Sequence, residues 1–111
     1  MNEPKIKTAK SDSNEAGIAI GKSLKAHRHA SDKTQEDLGF EAAVDRTYVS
    51  QIERGVGNPS ILTLANLCYA LGITLADLFA PVKVSVKPDE QTRRKNQAKL
   101  KTAAPRKPRL R

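Results

Sequence analysis

The 111-residue sequence predicts an all-α fold, a compact five-helix domain with a polar arm before it and a basic segment after it. Three observations carry this. Over about residues 13–79 the apolar residues recur every three or four positions, the period of one helix face. Residues suited to capping a helix start (Asp12, Thr34, Asp45, Ser60 and Thr74) each stand just ahead of such a run. Gly55 and Gly72 stand just after two of the runs, where a left-handed residue closes a helix.

Residues 1–12 contain Pro4 and three lysines, show no periodicity and read as a flexible arm. Asp12 with Glu15 resembles a capping box opening a first helix over about 13–30, with Ala16, Ile20, Leu24 and His27 along its stripe. Thr34 with Asp37 repeats the signal for a short second helix over 35–42. Asp45 caps a third, 46–54, which turns Val49 and Ile52 inward and stops at Gly55. Val56-Gly57-Asn58-Pro59 is a loop by its turn residues. Ser60 caps a fourth helix over 61–71, apolar at Ile61, Leu64, Leu67, Cys68 and Leu71, and Thr74 with Asp77 starts a last one ending near Phe79. Three residues, Ala43-Val44-Asp45, separate the second and third helices. Two helices that close cannot share an axis, so 35–54 is predicted to be a helix-turn-helix inside a domain spanning 13–80. Beyond it, 81–111 reads as a basic, largely disordered segment, with apolar–polar alternation over 82–86 predicting a short strand.

Composition narrows the function classes. The single cysteine, Cys68, permits neither an intramolecular disulfide nor a multi-cysteine zinc site. His27 and His29 have no further ligands at metal-binding spacing, so no metal and no cofactor is expected. No phosphate-cradling glycine loop, carboxylate pair or nucleophile beside a base is visible, and an enzyme is not expected. No apolar run approaches membrane-spanning length and no signal-peptide core is visible, which predicts a cytoplasmic, nucleoid-associated protein without a membrane partner. The formal charge of +8 is unevenly placed: residues 1–79 carry nine Lys/Arg against ten Asp/Glu, whereas 80–111 carry eleven against Asp89 and Glu90. Such a segment raises affinity for polyanions and steers association.

The run Thr34-Gln35-Glu36-Asp37-Leu38, the string Asp45-Arg46-Thr47-Tyr48-Val49-Ser50-Gln51-Ile52-Glu53-Arg54-Gly55, then Asn58-Pro59-Ser60 and Ala70-Leu71-Gly72-Ile73, resemble the lambda-repressor-like, Cro/cI-type (XRE) DNA-binding domain. The resemblance covers about residues 17–80, and Asp-Arg-Thr-Tyr is also similar to restriction–modification controller proteins. It implies that the third helix lies in the major groove of double-stranded DNA. The sequence departs from the family at four positions: Ala43 and Gly39 stand where glycine and alanine are usual, and His27 and Lys33 replace apolar residues.

With Val49 and Ile52 inward, Arg46, Thr47, Ser50 and Gln51 face outward as base-contact candidates, with Tyr48 at the border of that face. Arginine can pair with guanine, glutamine with adenine, and the threonine methyl can touch thymine. Gln35, by resemblance and by its place at a helix start, is a phosphate contact, as are Arg54, Asn58 and Ser60. Arg28 and Glu53 match positions that form a structural ion pair in some family members. Leu62 and Tyr69 lie seven residues apart off the core stripe and are the candidate homodimer interface, with 82–86 as a competing surface. The expected function is sequence-specific regulation of transcription, as a dimeric repressor. The alternative is an antitoxin-like interaction module that binds a protein partner and autoregulates its operon.

Overall fold

The computed structural model describes residues 14–88. Five helices follow one another: α1 (Glu15–Ala30), α2 (Gln35–Ala42), α3 (Arg46–Glu53), α4 (Ile61–Leu71) and α5 (Leu75–Phe79). The all-α reading holds, with no strand among the described residues. Four of the five capping residues act as the sequence predicts. Thr34 and Thr74 accept from the amides of Asp37 and Asp77, whose carboxylates accept from Thr34 N and Thr74 N in return. Asp45 accepts from Thr47 N at 3.0 Å and Ser60 from Thr63 N at 3.0 Å. The first helix differs: Asn14 is its cap, accepting from Gly17 N at 2.7 Å, and Asp12 lies outside the described residues. An asparagine amide satisfies the same orphan donor as an aspartate, so the start moves to the nearer residue of the two.

Every helix contributes to one core. Leu24, Leu38, Val49, Leu67 and Leu78 are fully buried, one from each helix in turn. Ala42, Ile52, Leu64, Cys68 and Leu71 complete it, and burial pushes the Cys68 thiol above its ordinary value. α3 packs on α1, α2 packs on α3 and α4, and α5 closes the gap between α1 and α4. The buried Ser23 hydroxyl donates to Leu78 O at 2.7 Å and so fastens α5 to α1.

Two expectations are corrected. Ile61 is 64 % exposed and does not join the buried core: it opens α4 one turn ahead of Leu64, the first buried residue of that helix. Residues 82–88 form no strand. A lone strand needs a neighbour for its backbone ladder, and among the described residues none is offered. Instead Val82 N donates to Phe79 O at 2.8 Å, turning the chain back over α1.

Candidate nucleic-acid interface

The turn between α2 and α3 is set by two small residues. Ala43 closes α2 in the left-handed region, φ 60° and ψ 41°, so alanine here carries a steric cost that glycine would not. Gly39 is required by approach: a Cβ on it would stand 2.5 Å from Val44 O. Val44 N then donates back to Gly39 O at 2.9 Å, and Asp45 begins the next helix at once. The result is a short, hydrogen-bonded corner that fixes α3 across α2.

On α3, Val49, Ile52 and Glu53 are buried. Arg46, Thr47 and Arg54 are exposed, and Ser50 and Gln51 are half-buried beside them. At 3.6 residues per turn these five occupy one arc of about 140°. Tyr48 stands outside that arc. It is half-buried and packs against the core, so its ring is at best a border element of the surface.

The end of α3 is clamped from inside. Arg28 Nε donates to Glu53 Oε2 at 2.6 Å and Arg28 Nη2 to Oε1 at 3.0 Å, a fork-on-fork pair whose side chains are 9 % and 3 % exposed. Arg28 Nη1 also donates to Lys33 O at 2.8 Å. The hydrogen bonding to Glu53 raises the Arg28 pKa against the opposing effect of burial, and the guanidinium stays charged. The expected Arg28–Glu53 pair is therefore present, with a member the sequence did not suggest: Gln35 Nε2 donates to Glu53 Oε1 at 3.0 Å. The first residue of α2 thus touches the last of α3. Its side-chain amide is engaged and Asp37 N donates to the Thr34 hydroxyl, which leaves the backbone N–H groups of Gln35 and Glu36 to meet an anion. Arg46, Lys33, Thr34 and Gln35 line one open depression at that helix start together with Arg28, His29 and the acidic Asp32 and Glu36.

Lys33 was legible only as a departure from an apolar position. Its ammonium bridges Glu41 on α2 and Ala70 O near the end of α4, at 3.0 Å from the carbonyl. Gly21 was also missed. A Cβ there would lie 2.4 Å from Ile52 O, so glycine inside α1 lets α1 and the end of α3 meet backbone to backbone. A glycine within a strongly periodic helix was the available signal.

Asn58 and Ser60 are exposed on the loop after α3. The Ser60 hydroxyl accepts from Thr63 N and donates to Thr63 Oγ1, so capping occupies both of its functions. Leu62 and Tyr69 are 70 % and 86 % exposed, together with Ile61 on the same helix. Among the described residues no three potential ligands gather to hold a metal ion, and no helix is long and apolar enough to cross a membrane.

Comparison with known proteins matches residues 24–78 to a helix-turn-helix family, HTH_3. The chain is 38 % identical over 71 residues to the control protein C.MunI of Mycoplasma sp, covering 63 % of this chain and 96 % of that protein. It is 43 % identical over 49 residues to the control protein C.BamHI of Bacillus amyloliquefaciens, covering 44 % and 60 % respectively. Among solved structures it is similar to the restriction-modification controller protein C.AhdI from Aeromonas hydrophila, with a TM-score of 0.56 and 36 % identity over 57 % of this chain and 96 % of that one.

Proposed function

Since the chain belongs to the HTH_3 family of XRE-type helix-turn-helix proteins and is a DNA-binding transcriptional regulator, we propose that it reads its operator with α3 and represses as a homodimer. The observation that carries this is the outward arc of α3. Arg46, Thr47, Ser50, Gln51 and Arg54 form an unbroken polar face on a helix whose other side is core. Arg46, Thr47, Ser50 and Gln51 are the base readers in this proposal, with Tyr48 as a flanking contact. Arg54, Asn58, the amide end of α2 at Gln35, and the Ser60 turn hold phosphates. A helix of these dimensions fits the major groove, and phosphate contacts on either side set its register.

In this proposal the dimer interface lies on α4, supported by the exposure of Ile61, Leu62 and Tyr69, whose apolar surface a lone domain leaves in water. Two such subunits about a two-fold axis read half-sites centred about 10–10.5 bp apart or a multiple of that. Sited over a promoter, the bound dimer excludes polymerase by occupancy alone.

Selection of binding sites from random duplex DNA, followed by Arg46→Ala and Gln51→Ala, tests the reading. Each variant should lose about 1–3 kcal/mol on the best site and relax preference at one or two base pairs. Equal loss on every sequence would move these side chains from bases to phosphates. Tyr69→Glu should shift the protein to monomer in sedimentation; an unchanged dimer would place the interface elsewhere. A promoter–reporter fusion whose expression rises with the protein would overturn repression.

A further inference from the structure

Phe40 is the most exposed large apolar side chain of the described residues, at 88 %. In α2, Leu38 and Ala42 turn into the core and Gly39 is pressed against Val44 O. Phe40 therefore falls about 200° round the helix from Leu38, on the side away from the core. Glu36 and Asp37 stand exposed one turn before it, and Glu41, paired with Lys33, adjoins it. The ring is thus framed by carboxylates, which repel phosphates and argue against DNA as its cover. Neither the core nor the reading face of α3 employs it.

A surface of the opposite kind lies on α1. Gly17, Gly21 and Arg28 face α3, and on the other side of the helix the chain that follows α5 is laid along it. There Pro81 joins Ala19, Lys22, Ser23, Ala26 and His27 round an open groove of about 330 Å³. An enclosed cavity of ~150 Å³ already admits benzene, so a phenyl ring fits the space. Ala19, Ala26 and Pro81 give it apolar walls, and Lys22 supplies a cation that can lie over a ring face. Among the described residues no carboxylate lines this groove. The next depression along α1 adds Lys83 and Val84 with Glu15 at its far end, and Asp77 approaches His27 from α5.

We propose that Phe40 of one copy of this chain seats in the α1 groove of a second copy, with Glu36 beside Lys22. The occupant is a second copy because one chain carries both halves of the match, an apolar ring framed by acids and an apolar groove bearing a lysine. Phe40 does not fill the groove of its own chain: α2 packs on α3 and α4, whereas α1 packs on α3 and α5. The two surfaces differ, so the contact is heterologous and leaves a ring and a groove unused at its ends for further copies. It shares no residue with Ile61, Leu62 and Tyr69 and can link subunits already paired through α4. It is independent of what α3 reads. One ring buries about 150–250 Å², far below the ~1,200 Å² of a stable complex. The contact is therefore weak between free molecules and gains where copies are held side by side.

Mixing two full-length variants, each lacking one half of the contact, tests this. Phe40→Ser removes the ring and keeps the groove; Ala26→Glu sets a repelling charge in the groove and keeps the ring. Both positions are exposed, and circular dichroism checks that each variant folds; Lys22→Glu takes the place of Ala26→Glu if the latter does not. Isotope-labelled Phe40→Ser is titrated with unlabelled Ala26→Glu to about 1 mM, a range that detects millimolar affinity. Amide shifts should appear at Ala19, Lys22, Ala26 and Val82, and with the label on the other variant at Phe40 and Glu41. Neither variant titrated with itself should show them. Adding Lys22→Glu to the groove-bearing chain should weaken the mixture several-fold, and adding Glu36→Lys to the ring-bearing chain should then restore it. Absence of shifts at α1 overturns the proposal, as do α1 shifts of equal size when both partners carry Phe40→Ser. Shifts on α4 in place of α1 overturn it too, since they seat the ring on Leu62 and Tyr69 of the second copy.

Discussion

Replacing Arg28 with methionine should cost more than any single change on the outer face of α3. The substitution removes the guanidinium's hydrogen bonds, two to Glu53, one to Lys33 O and the contact with His29 Nε2, while keeping most of the side chain's bulk. It leaves the Glu53 carboxylate, 3 % exposed, with Gln35 Nε2 as its remaining partner. Breaking one side of a buried pair costs about 3–5 kcal/mol, because the surviving charge stays desolvated. A small domain has about 5–15 kcal/mol in total, so the variant should sit close to its unfolding threshold. At about 4–8 °C per kcal/mol for a domain of this size, Tm should fall by roughly 12 to 40 °C. Urea unfolding followed by circular dichroism measures it, with the slope against denaturant checked for constancy. The double variant Arg28→Met/Glu53→Leu should recover most of the loss, since neither charge is then stranded. A loss below about 1 kcal/mol for Arg28→Met, the worth of a surface pair, would refute the argument. So would a double variant no better than the single one.

Other expectations follow from the corner and the caps. Ala43→Gly should stabilise by about 0.5–1 kcal/mol, the relief at φ 60° less the extra freedom glycine gains on unfolding, whereas Gly39→Ala should destabilise by about 1–3 kcal/mol; equal Tm values for the two variants would dismiss the geometry of the turn. Asp37 and Asp77 are held below the ordinary carboxylate range chiefly by hydrogen bonds from the backbone N–H groups of Thr34 and Thr74. A depressed folded pKa means their stabilisation is present above the unfolded value, about 3.9, and is lost as pH falls through the folded one. Asp37→Asn/Asp77→Asn should therefore flatten the acid limb of a Tm–pH curve below about pH 4, and an unaltered limb would count against the caps. The Cys68 thiol, buried with a raised pKa, should react with an aromatic disulfide far more slowly in the folded protein than in urea; equal rates would show that the core opens freely there.

The parts of this fold readable in advance were those written in local chemistry. Thr34, Asp45, Ser60 and Thr74 announce helix starts because a cap acts on an amide two or three residues away, a distance sequence preserves. Gly55 and Gly72 announce ends for the same reason, and both have positive φ. What failed depended on neighbours remote in the chain. Ile61 shares the spacing of Leu64 and Leu67, but whether the first turn of α4 is covered depends on where other helices stop. The alternation over 82–86 carries a strand's pattern and lacks a strand's partner. Within the candidate site, the Arg28–Glu53 pair was accessible only through family likeness, and the approach of Gln35 to it was not accessible at all. Eighteen positions separate Gln35 from Glu53, and no periodicity links them.

Lys33 has a mechanical consequence at the level of the assembled regulator. One ammonium ties the C-terminal half of α2 to the last turn of α4, so the surface proposed to meet DNA and the surface proposed to meet a second subunit are braced against each other. If the proposed dimer forms through α4, this brace favours a set distance between each reading helix and its own dimer face, and so between the two reading helices. Any tolerance to spacer length must then be supplied by the DNA, through bending or twisting of the steps between the half-sites, and the sequence of that untouched spacer becomes part of what the protein selects.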